Sequence, residues 1–282
     1  MSGYDLHTHT TASDGTTTAE DNVRLALAAG LGGLAVTDHD SVAAWDDSFA
    51  AADGTALEVV PGAELSAELG GYSVHVLGYW FDPSDGALTA ELHRLRTERD
   101  RRAQEIVERF VELGVPVSLD RVRQLAGDAP IGRPHVAAAV VDTGAARDVS
   151  EVFDRWLHDG GPAYVPKYAV DPVRCVRLIV EAGGVAVLAH PGLYGPAEQA
   201  RAGVGLDVAT VEEMAAAGLA GIEADHPDHT AEQVARYGDL ARAHGLVVTA
   251  GSDFHGERKD LDLGQATTSR ARVEVLRERA RR

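Results

Sequence analysis

The sequence has few cysteines, few lysines and no long apolar segment. Cys175 is the single cysteine in 282 residues, so neither an intrachain disulfide nor a cysteine-rich zinc site can form. No apolar run approaches the roughly 20 residues that a membrane-spanning helix needs. The N-terminal residues also lack the basic and then apolar pattern of a signal peptide. These absences predict a cytoplasmic protein that does not associate with a membrane.

Positive charge is scarce as well. Lysine and arginine together number 26 against 44 aspartates and glutamates, which gives a net charge of −18, and Lys167 and Lys259 are the only lysines. A surface this acidic repels phosphate backbones, so we expect no stable nucleic-acid complex. Bound cations or a local basic cleft would still accept a phosphorylated ligand. Hydrophobic residues make up 45% of the chain, which is ordinary for a globular protein with a sizeable core.

Apolar segments alternate with amphipathic helices in two stretches of the chain. Strands are predicted at 4–10, 32–40, 57–68, 72–80, 184–192, 221–227 and 246–256. Helices are predicted at 17–31, 41–53, 172–184, 207–218, 230–245 and 271–282. Gly70 and Gly71 predict a hairpin turn between the third and fourth strands. Repeated strand–helix units favour an α/β fold with a parallel sheet or barrel, whose chemistry lies at the carboxyl ends of the strands.

The middle of the chain has a different pattern. No strand is evident between 82 and 183, a long amphipathic helix is predicted over 86–113, and shorter helices are predicted at about 118–126, 133–142 and 148–158. We therefore predict a barrel domain made of 1–99 and 166–282, with a mainly helical insert at 100–165.

Histidines and carboxylates collect at the predicted strands. The candidate residues are His7, His9, Asp14, His39, Glu64, His75, His190, Asp253 and His255. A single buried histidine is more often a core residue than a ligand. However, five apolar strands each end in His, Asp or Glu, and such groups are costly to bury unless they are paired or bind a metal.

Imidazoles and carboxylates without thiolates suit divalent zinc, manganese or iron. The candidates are too many for one four-coordinate site. They predict two or three metal ions, with a carboxylate such as Glu64 bridging them.

Six motifs in this order and spacing resemble those of the PHP (polymerase and histidinol phosphatase) family. They are HTHTTASDG, VTDHD, GAE, HVLGY, LAHPG and GSDFHG, and they run from residue 5 to residue 256. The resemblance implies a distorted seven-stranded β/α barrel, up to three metals at its mouth and hydrolysis of phosphoesters.

The resemblance also implies three ligand groups. They are His7, His9, Glu64 and Asp253 for one metal, Glu64, His75 and His190 for the second, and Asp14, His39 and His255 for the third. His190, Asp253 and His255 are the implied catalytic residues. Asp14 stands where many family members have histidine, so the identity of the third metal is open.

The insert narrows the resemblance to one branch of the family. GRPHVA places Arg133 and His135 at a helix start, which is a good phosphate site, and YVPKY adds Lys167. This combination resembles the branch that removes the 5′-phosphate from nucleoside 3′,5′-bisphosphates and trims short RNA from its 5′ end. The resemblance implies that the insert closes over the site and that its basic residues bind the phosphate that is not cleaved. A surface position is the alternative for Arg133. His226 could contact the substrate, or it could stabilise a turn or a helix cap.

The sequence therefore predicts a metal-dependent phosphoesterase acting on a small phosphorylated substrate, a nucleotide or a short RNA 5′ end. A metal-bridging hydroxide would attack phosphorus in line while the metals neutralise the developing charge. One alternative is a histidinol-phosphate phosphatase or another small phosphomonoesterase. A second is an amidohydrolase with a carboxylated bridging lysine, for which no lysine lies plainly on a strand. A third is a non-catalytic metal-binding module, which would have gaps in its ligand set, and none is found.

Overall fold

A computed structural model describes residues 3–127, 131–158, 160–166, 168, 170–194 and 205–280. The chain divides into two compact units, Met1–Leu92 with Ala169–Arg282, and His93–Tyr168. The predicted insert at 100–165 lies within the second unit. None of the described helices is both long and apolar enough to cross a membrane.

The first unit is built on one sheet of seven strands in sequential order. The strands are β1 (Tyr4–Asp5), β2 (Gly33–Val36), β3 (Glu58–Leu69), β4 (Tyr72–Tyr79), β5 (Val185–Leu188), β6 (Leu219–Asp225) and β7 (Val247–Ala250). β4 runs antiparallel to both of its neighbours, and the other neighbouring pairs are parallel. Isolated pairings of Tyr4 with Thr268 and of Thr8 with Phe254 bring the two edges of the sheet together. The predicted distorted seven-stranded barrel is confirmed.

The helices follow the strands as the hydrophobic periodicity predicts. They are α1 (Ala19–Ala28), α2 (Trp45–Ala52), α3 (Gly86–Glu112), α4 (Leu119–Ala126), α5 (Arg133–Asp142), α6 (Val149–Val152), α7 (Pro172–Glu181), α8 (Val208–Ala216), α9 (Ala231–Ala243) and α10 (Arg270–Ala280). Several begin at a side-chain cap. Asp171, for example, accepts hydrogen bonds from the backbone N–H groups of Val173 and Arg174 at the start of α7.

The hairpin of β3 and β4 confirms the predicted turn. Gly70 and Gly71 both have positive φ, a conformation that glycine adopts without steric cost. The pairing sets Ser66 opposite His75 and Glu64 opposite Leu77. It thereby brings Glu64 and His75 to neighbouring strands.

Four predicted strands end clearly earlier in the structure: β1, β2, β5 and β7, of which β2 ends at Val36 rather than at 40 and β5 at Leu188 rather than at 192. β1 ends at Asp5, whose buried carboxylate accepts hydrogen bonds from the backbone of His7, Ser252 and Gly264. These bonds take the chain out of the ladder, so the prediction of a strand over 4–10 was wrong after residue 5. β7 ends at Ala250 rather than at 256, and Asp253 has φ of 53°. The polar residues therefore lie in the loops that follow these strands.

The second unit has a helical core of its own. Ile106 and Phe110 of α3 pack with Val122 of α4 and with Val136 and Val140 of α5. All five side chains are buried. This core accounts for the helical periodicity of the middle of the chain.

Arginines of α3 bind the segment around residues 164–168. Arg102 donates to the carbonyl of Val165, Arg109 donates to the carbonyl of Tyr164, and the guanidinium of Arg94 lies 4.0 Å from the ring centre of Tyr168. These contacts are all made within the second unit, to which the three arginines belong.

Candidate metal centre

Glu64 lies at the centre of a group of histidines and is itself fully buried. Its Oε2 is 3.3 Å from Nε2 of His7, 3.2 Å from Nε2 of His9 and 3.1 Å from Nδ1 of His39. Its Oε1 is 2.8 Å from Nδ1 of His75 and 3.2 Å from Nε2 of His190. One carboxylate thus faces five imidazoles from four separate segments of the chain.

The potential ligand atoms form four overlapping groups, and within each group they lie within 4.8 Å of one another. The groups are His7, His9, Glu64 and Asp253; His9, Asp14, His39 and His255; His39, Glu64 and His75; and His7, His190 and Glu223. The structure therefore brings all nine sequence-predicted ligand residues into one region of the first unit. The geometric groups differ from the expected ones in three ways. His39 replaces His190 beside Glu64 and His75, His190 groups with His7 and Glu223, and His9 joins Asp14, His39 and His255.

The donor set fits bound cations. Oε2 of Glu64 lies 3.1–3.3 Å from three buried nitrogens, Nε2 of His7, Nε2 of His9 and Nδ1 of His39. None of these four atoms makes a hydrogen bond among the described residues. Buried polar atoms without partners are costly. A divalent metal would satisfy them together, because imidazole nitrogen and carboxylate oxygen are both suitable ligands.

In His9 and His255, the ring nitrogen that points away from the cluster is anchored in the way that metal-binding imidazoles require. Nδ1 of His255 lies 2.7 Å from the carbonyl oxygen of Asp253, which leaves Nε2 of His255 facing Oδ1 of Asp14 at 3.3 Å. Nδ1 of His9 lies 3.4 Å from Oγ of Ser13. His9 and His255 therefore present Nε2 to the cluster.

The electrostatics of the cluster favour positive charge. Burial lowers the pKa of His9, but Asp253 and Glu64 outweigh it and raise that pKa to about 10. Burial would raise the pKa of Glu64, but His39, His75 and the other imidazoles hold it well below its usual range. Burial lowers the pKa of His190 to about 4. The carboxylates thus stay ionised and attract cations, whether protons or metals.

Glu223 is a site residue that the sequence reasoning missed. It lies on β6, is fully buried, and its two oxygens are 3.0 and 3.2 Å from Nδ1 of His7. It also accepts a hydrogen bond of 3.0 Å from the backbone N–H of His190. The sequence feature that could have identified Glu223 is an acidic residue inside the apolar segment GIEAD. A carboxylate buried in such a segment needs a charged or hydrogen-bonding partner.

Asp253 brings two further residues to the site. Its Oδ1 is 3.5 Å from Nε2 of His7 and 3.3 Å from Nε2 of His9, whereas its Oδ2 is 3.6 Å from Nε2 of His226 and forms an ion pair with Lys259. Burial lowers the pKa of Lys259, but Asp253 and neighbouring carboxylates raise it overall. The sequence reasoning did not single out Lys259.

The loop after β5 holds His190 in an uncommon conformation. His190 has φ of 21°, which is strained for a residue with a side chain. Three contacts fix the next residues: the N–H of Gly192 donates to His229, Gln233 donates to the carbonyl of Gly192, and Tyr237 donates to the carbonyl of Pro191. The β6–α9 segment therefore keeps His190 at the cluster.

The residues predicted to bind a second phosphate belong to the second unit. Arg133 begins α5, donates to the carbonyl of Leu157 and lies 5.6 Å from the ring centre of Phe153. Nδ1 of His135 accepts a hydrogen bond from the N–H of Gly132, the residue that precedes α5. Lys167 lies outside the described residues.

Comparisons with known proteins agree with the chemistry of the site. The model of the PHP domain family matches residues 5–77. The chain is 34% identical over 256 residues to a 3′,5′-nucleoside bisphosphate phosphatase of Chromobacterium violaceum, covering 90% of this chain and 88% of that protein. It is 33% identical over 273 residues to the 5′-3′ exoribonuclease Rnm of Escherichia coli, covering 96% and 91%. A structure from Bifidobacterium adolescentis, described as a candidate metal-dependent phosphoesterase, superposes with a TM-score of 0.86 at 33% identity, covering 99% and 96%.

Proposed function

This chain belongs to the PHP domain family, and from that premise we propose that it removes the 5′-phosphate from nucleoside 3′,5′-bisphosphates. That it is a metal-dependent phosphoesterase follows from the family and from the identities of its relatives. The observation that carries the proposal is the set of buried imidazole and carboxylate atoms that face one another without hydrogen bonds. Two or three ions of manganese, iron or zinc would satisfy them.

The metal ligands proposed here are the nine residues that the sequence predicts. They are His7, His9, Asp14, His39, Glu64, His75, His190, Asp253 and His255. Divalent metals held there would activate a water molecule and neutralise charge on the phosphoryl oxygens.

Residues of the chain orient the imidazole rings of the site. Glu223 directs Nε2 of His7 towards the cluster, and the carbonyl of Asp253 does the same for His255. His226 accepts a hydrogen bond from the N–H of Asp228 at Nδ1, so its ring proton, when the ring is neutral, lies on Nε2, which faces Asp253. In this proposal His226 offers that proton to an oxygen of the bound substrate.

The substrate preference is proposed to come from the second unit acting as a lid. Arg133 and His135 at the start of α5, together with Lys167, would bind the phosphate that is not cleaved. A helix start with cationic side chains is a favourable place for a phosphate. Binding a second phosphate would place the scissile one correctly and distinguish bisphosphates from simple phosphomonoesters.

The first experiment compares phosphate release, with added manganese, from adenosine 3′,5′-bisphosphate, histidinol phosphate and p-nitrophenyl phosphate. The proposal expects fastest turnover of the bisphosphate, with 3′-AMP as the product. A preference for histidinol phosphate would retain the metal chemistry and reject the proposed substrate.

The Arg133→Ala variant tests whether Arg133 binds the phosphate that is not cleaved. Losing a charge-assisted hydrogen bond costs about 1.5–3 kcal/mol, so we expect kcat/KM for the bisphosphate to fall by at least about tenfold. Hydrolysis of p-nitrophenyl phosphate should not change. Arg123→Ala, which removes an exposed arginine of the same unit, is the matched control. Equal losses with both substrates would contradict the assigned role of Arg133.

Trimming of short RNA is a second candidate, favoured by the identity of the exoribonuclease relatives. A 5′-phosphorylated trinucleotide incubated with the manganese-loaded protein would yield mononucleotides in order from the 5′ end. An intact trinucleotide, under conditions in which the bisphosphate is hydrolysed, would restrict the activity to mononucleotides.

A further inference from the structure

The first unit carries a cation that the proposed function leaves unused. Lys259 follows the short turn Gly256–Arg258 after β7, and its ammonium group forms an ion pair with Asp253. The side chain of Lys259 is 35% exposed, whereas that of Asp253 is 4% exposed. Lys259 therefore extends from solvent to the edge of the metal centre.

The two oxygens of Asp253 have different neighbours. Oδ1 faces the Nε2 atoms of His7 and His9, and so completes the group that also contains Glu64. Oδ2 faces Lys259 and His226. The ammonium group thus lies beside the ligand group and not within it, where it can contact a molecule bound to the metals.

A further cation at this position would favour an anionic substrate. The carboxylates of Asp14, Glu64, Glu223 and Asp253 together offset the charge of two bound divalent metals, so the metals alone leave little net attraction for a phosphoryl group. Within the part of the chain that the structure describes, Lys259 is the one lysine or arginine in ion-pair contact with these carboxylates. A lysine ammonium is a compact point charge that binds phosphate oxygens well.

We infer that Lys259 binds the phosphoryl group that is cleaved. The inference rests on the proposed phosphoesterase function. It assigns the cleaved phosphate to Lys259, whereas Arg133 is proposed to bind the phosphate that is not cleaved. Every phosphomonoester has the phosphate that Lys259 would contact, whereas only a bisphosphate has the second one. Loss of Lys259 should therefore weaken the binding of all phosphomonoester substrates by the same factor.

The test uses the full-length, manganese-loaded protein with Lys259→Met, which removes the charge and keeps the length, and Lys259→Arg, which keeps the charge. Isothermal titration measures the binding of inorganic phosphate and, separately, of manganese to the metal-free protein. We expect Lys259→Met to weaken phosphate binding by about tenfold or more. Manganese binding should not weaken, since no ligand is lost.

Steady-state kinetics complete the test. Lys259→Met should lower kcat/KM for adenosine 3′,5′-bisphosphate and for p-nitrophenyl phosphate by the same factor, and Lys259→Arg should restore most of it. Arg258→Met removes one positive charge from the exposed neighbouring position and is the matched control. It should leave phosphate binding and both activities unchanged.

Three results would overturn the inference. Weaker manganese binding with unchanged phosphate affinity would make Lys259 a positioning residue for Asp253. A loss confined to the bisphosphate would assign Lys259 to the second phosphate. Unchanged binding of both phosphate and manganese in Lys259→Met would show that Lys259 takes no part in the site. A wild-type protein that hydrolyses p-nitrophenyl phosphate but not the bisphosphate would reject the proposed substrate, and phosphate titration would still decide the role of Lys259.

Discussion

Two buried glutamates hold His7 from opposite edges of its ring. Glu64 faces Nε2 and Glu223 faces Nδ1. Nε2 lacks a hydrogen bond among the described residues, whereas Nδ1 is bound to Glu223. At the scale of the residue, the two carboxylates therefore have different tasks. Glu64 is a proposed ligand, and Glu223 fixes which ring nitrogen is available.

The Glu64→Gln variant should lose bound metal. The substitution removes the charge shared by His39, His75 and the other imidazoles, and an amide is a poor bridging ligand. Changes outside the ligand sphere already cost about 10- to 100-fold in metal affinity or activity, so we expect at least about a hundredfold loss here. Metal content after dialysis and phosphate release measure it.

Glu68→Gln is the control for that variant, because Glu68 is a half-buried carboxylate on the same strand and belongs to none of the four ligand groups. It should bind metal as the wild type does. Full metal content in Glu64→Gln would contradict the assignment of Glu64 as a bridging ligand.

The lone cysteine should be unreactive in the folded protein. Cys175 on α7 is fully buried, and burial raises the pKa of its thiol well above the usual value. A thiol reagent reaches it only after opening of the structure, so we expect labelling at pH 8 to be about a thousandfold slower than in denaturant. Spectrophotometric labelling measures this rate, with Cys175→Ser as the blank. Rapid labelling without denaturant would mean that α7 opens easily.

At the scale of the element, the loop after β7 passes too close to the metal centre to carry a side chain. A Cβ atom at Gly251 would lie 2.4 Å from Cβ of His7 and 2.6 Å from Oε1 of Glu223. Both atoms belong to the pair that sets the orientation of the His7 ring. Glycine is required at this position because of the close approach and not because of a turn.

Gly251→Ala should therefore disturb the site and the fold together. Overpacking typically costs about 1–3 kcal/mol of stability. We also expect manganese affinity to fall by about tenfold, since the shift acts on the Glu223–His7 pair. Denaturant unfolding and manganese titration give the two values.

Gly86→Ala provides the comparison, because a Cβ at Gly86, at the start of α3, meets nothing within 4 Å. It should leave stability and metal binding close to wild type. An unchanged manganese affinity in Gly251→Ala would show that the Glu223–His7 pair tolerates displacement.

At the scale of the whole molecule, the metal centre joins all seven strands of the first unit. Glu64, His75 and Glu223 lie on β3, β4 and β6, and the loop after β1 holds His7, His9 and Asp14. The loops after β2, β5 and β7 supply the rest: His39, His190, Asp253 and His255. Metals bound there would cross-link the sheet, and the metal-free protein would keep like charges close together.

Removing the metals should lower the melting temperature. A ligand present at a thousand times its dissociation constant stabilises by about 4 kcal/mol. For a chain of this size each kcal/mol corresponds to about 2–4 °C, so chelation should lower Tm by about 10 °C. Circular dichroism melts with and without EDTA measure the change. Added manganese should restore the original Tm, and identical melts would argue against tight metal binding.

The sequence by itself determined the periodic elements and the kinds of ligand. Hydrophobic periodicity located α3 because that helix buries one face, and Gly70 and Gly71 located the hairpin because that turn needs positive φ. The six motifs identified the family. Histidines and carboxylates without thiolates predicted the metal chemistry, because burial of such groups requires a partner.

Only the tertiary structure decided which side chains meet. Glu223 reaches the centre through its contact with His7, which is distant in sequence and which no local pattern encodes. Lys259 reaches it through Asp253, whose place in the centre is itself set by long-range contacts with His7 and His9. The end of β1 at Asp5 depends on hydrogen bonds from Ser252 and Gly264. Local periodicity reflects the burial of one face, whereas a site is formed by long-range packing. For that reason the residue types of the centre were predictable and its full membership was not.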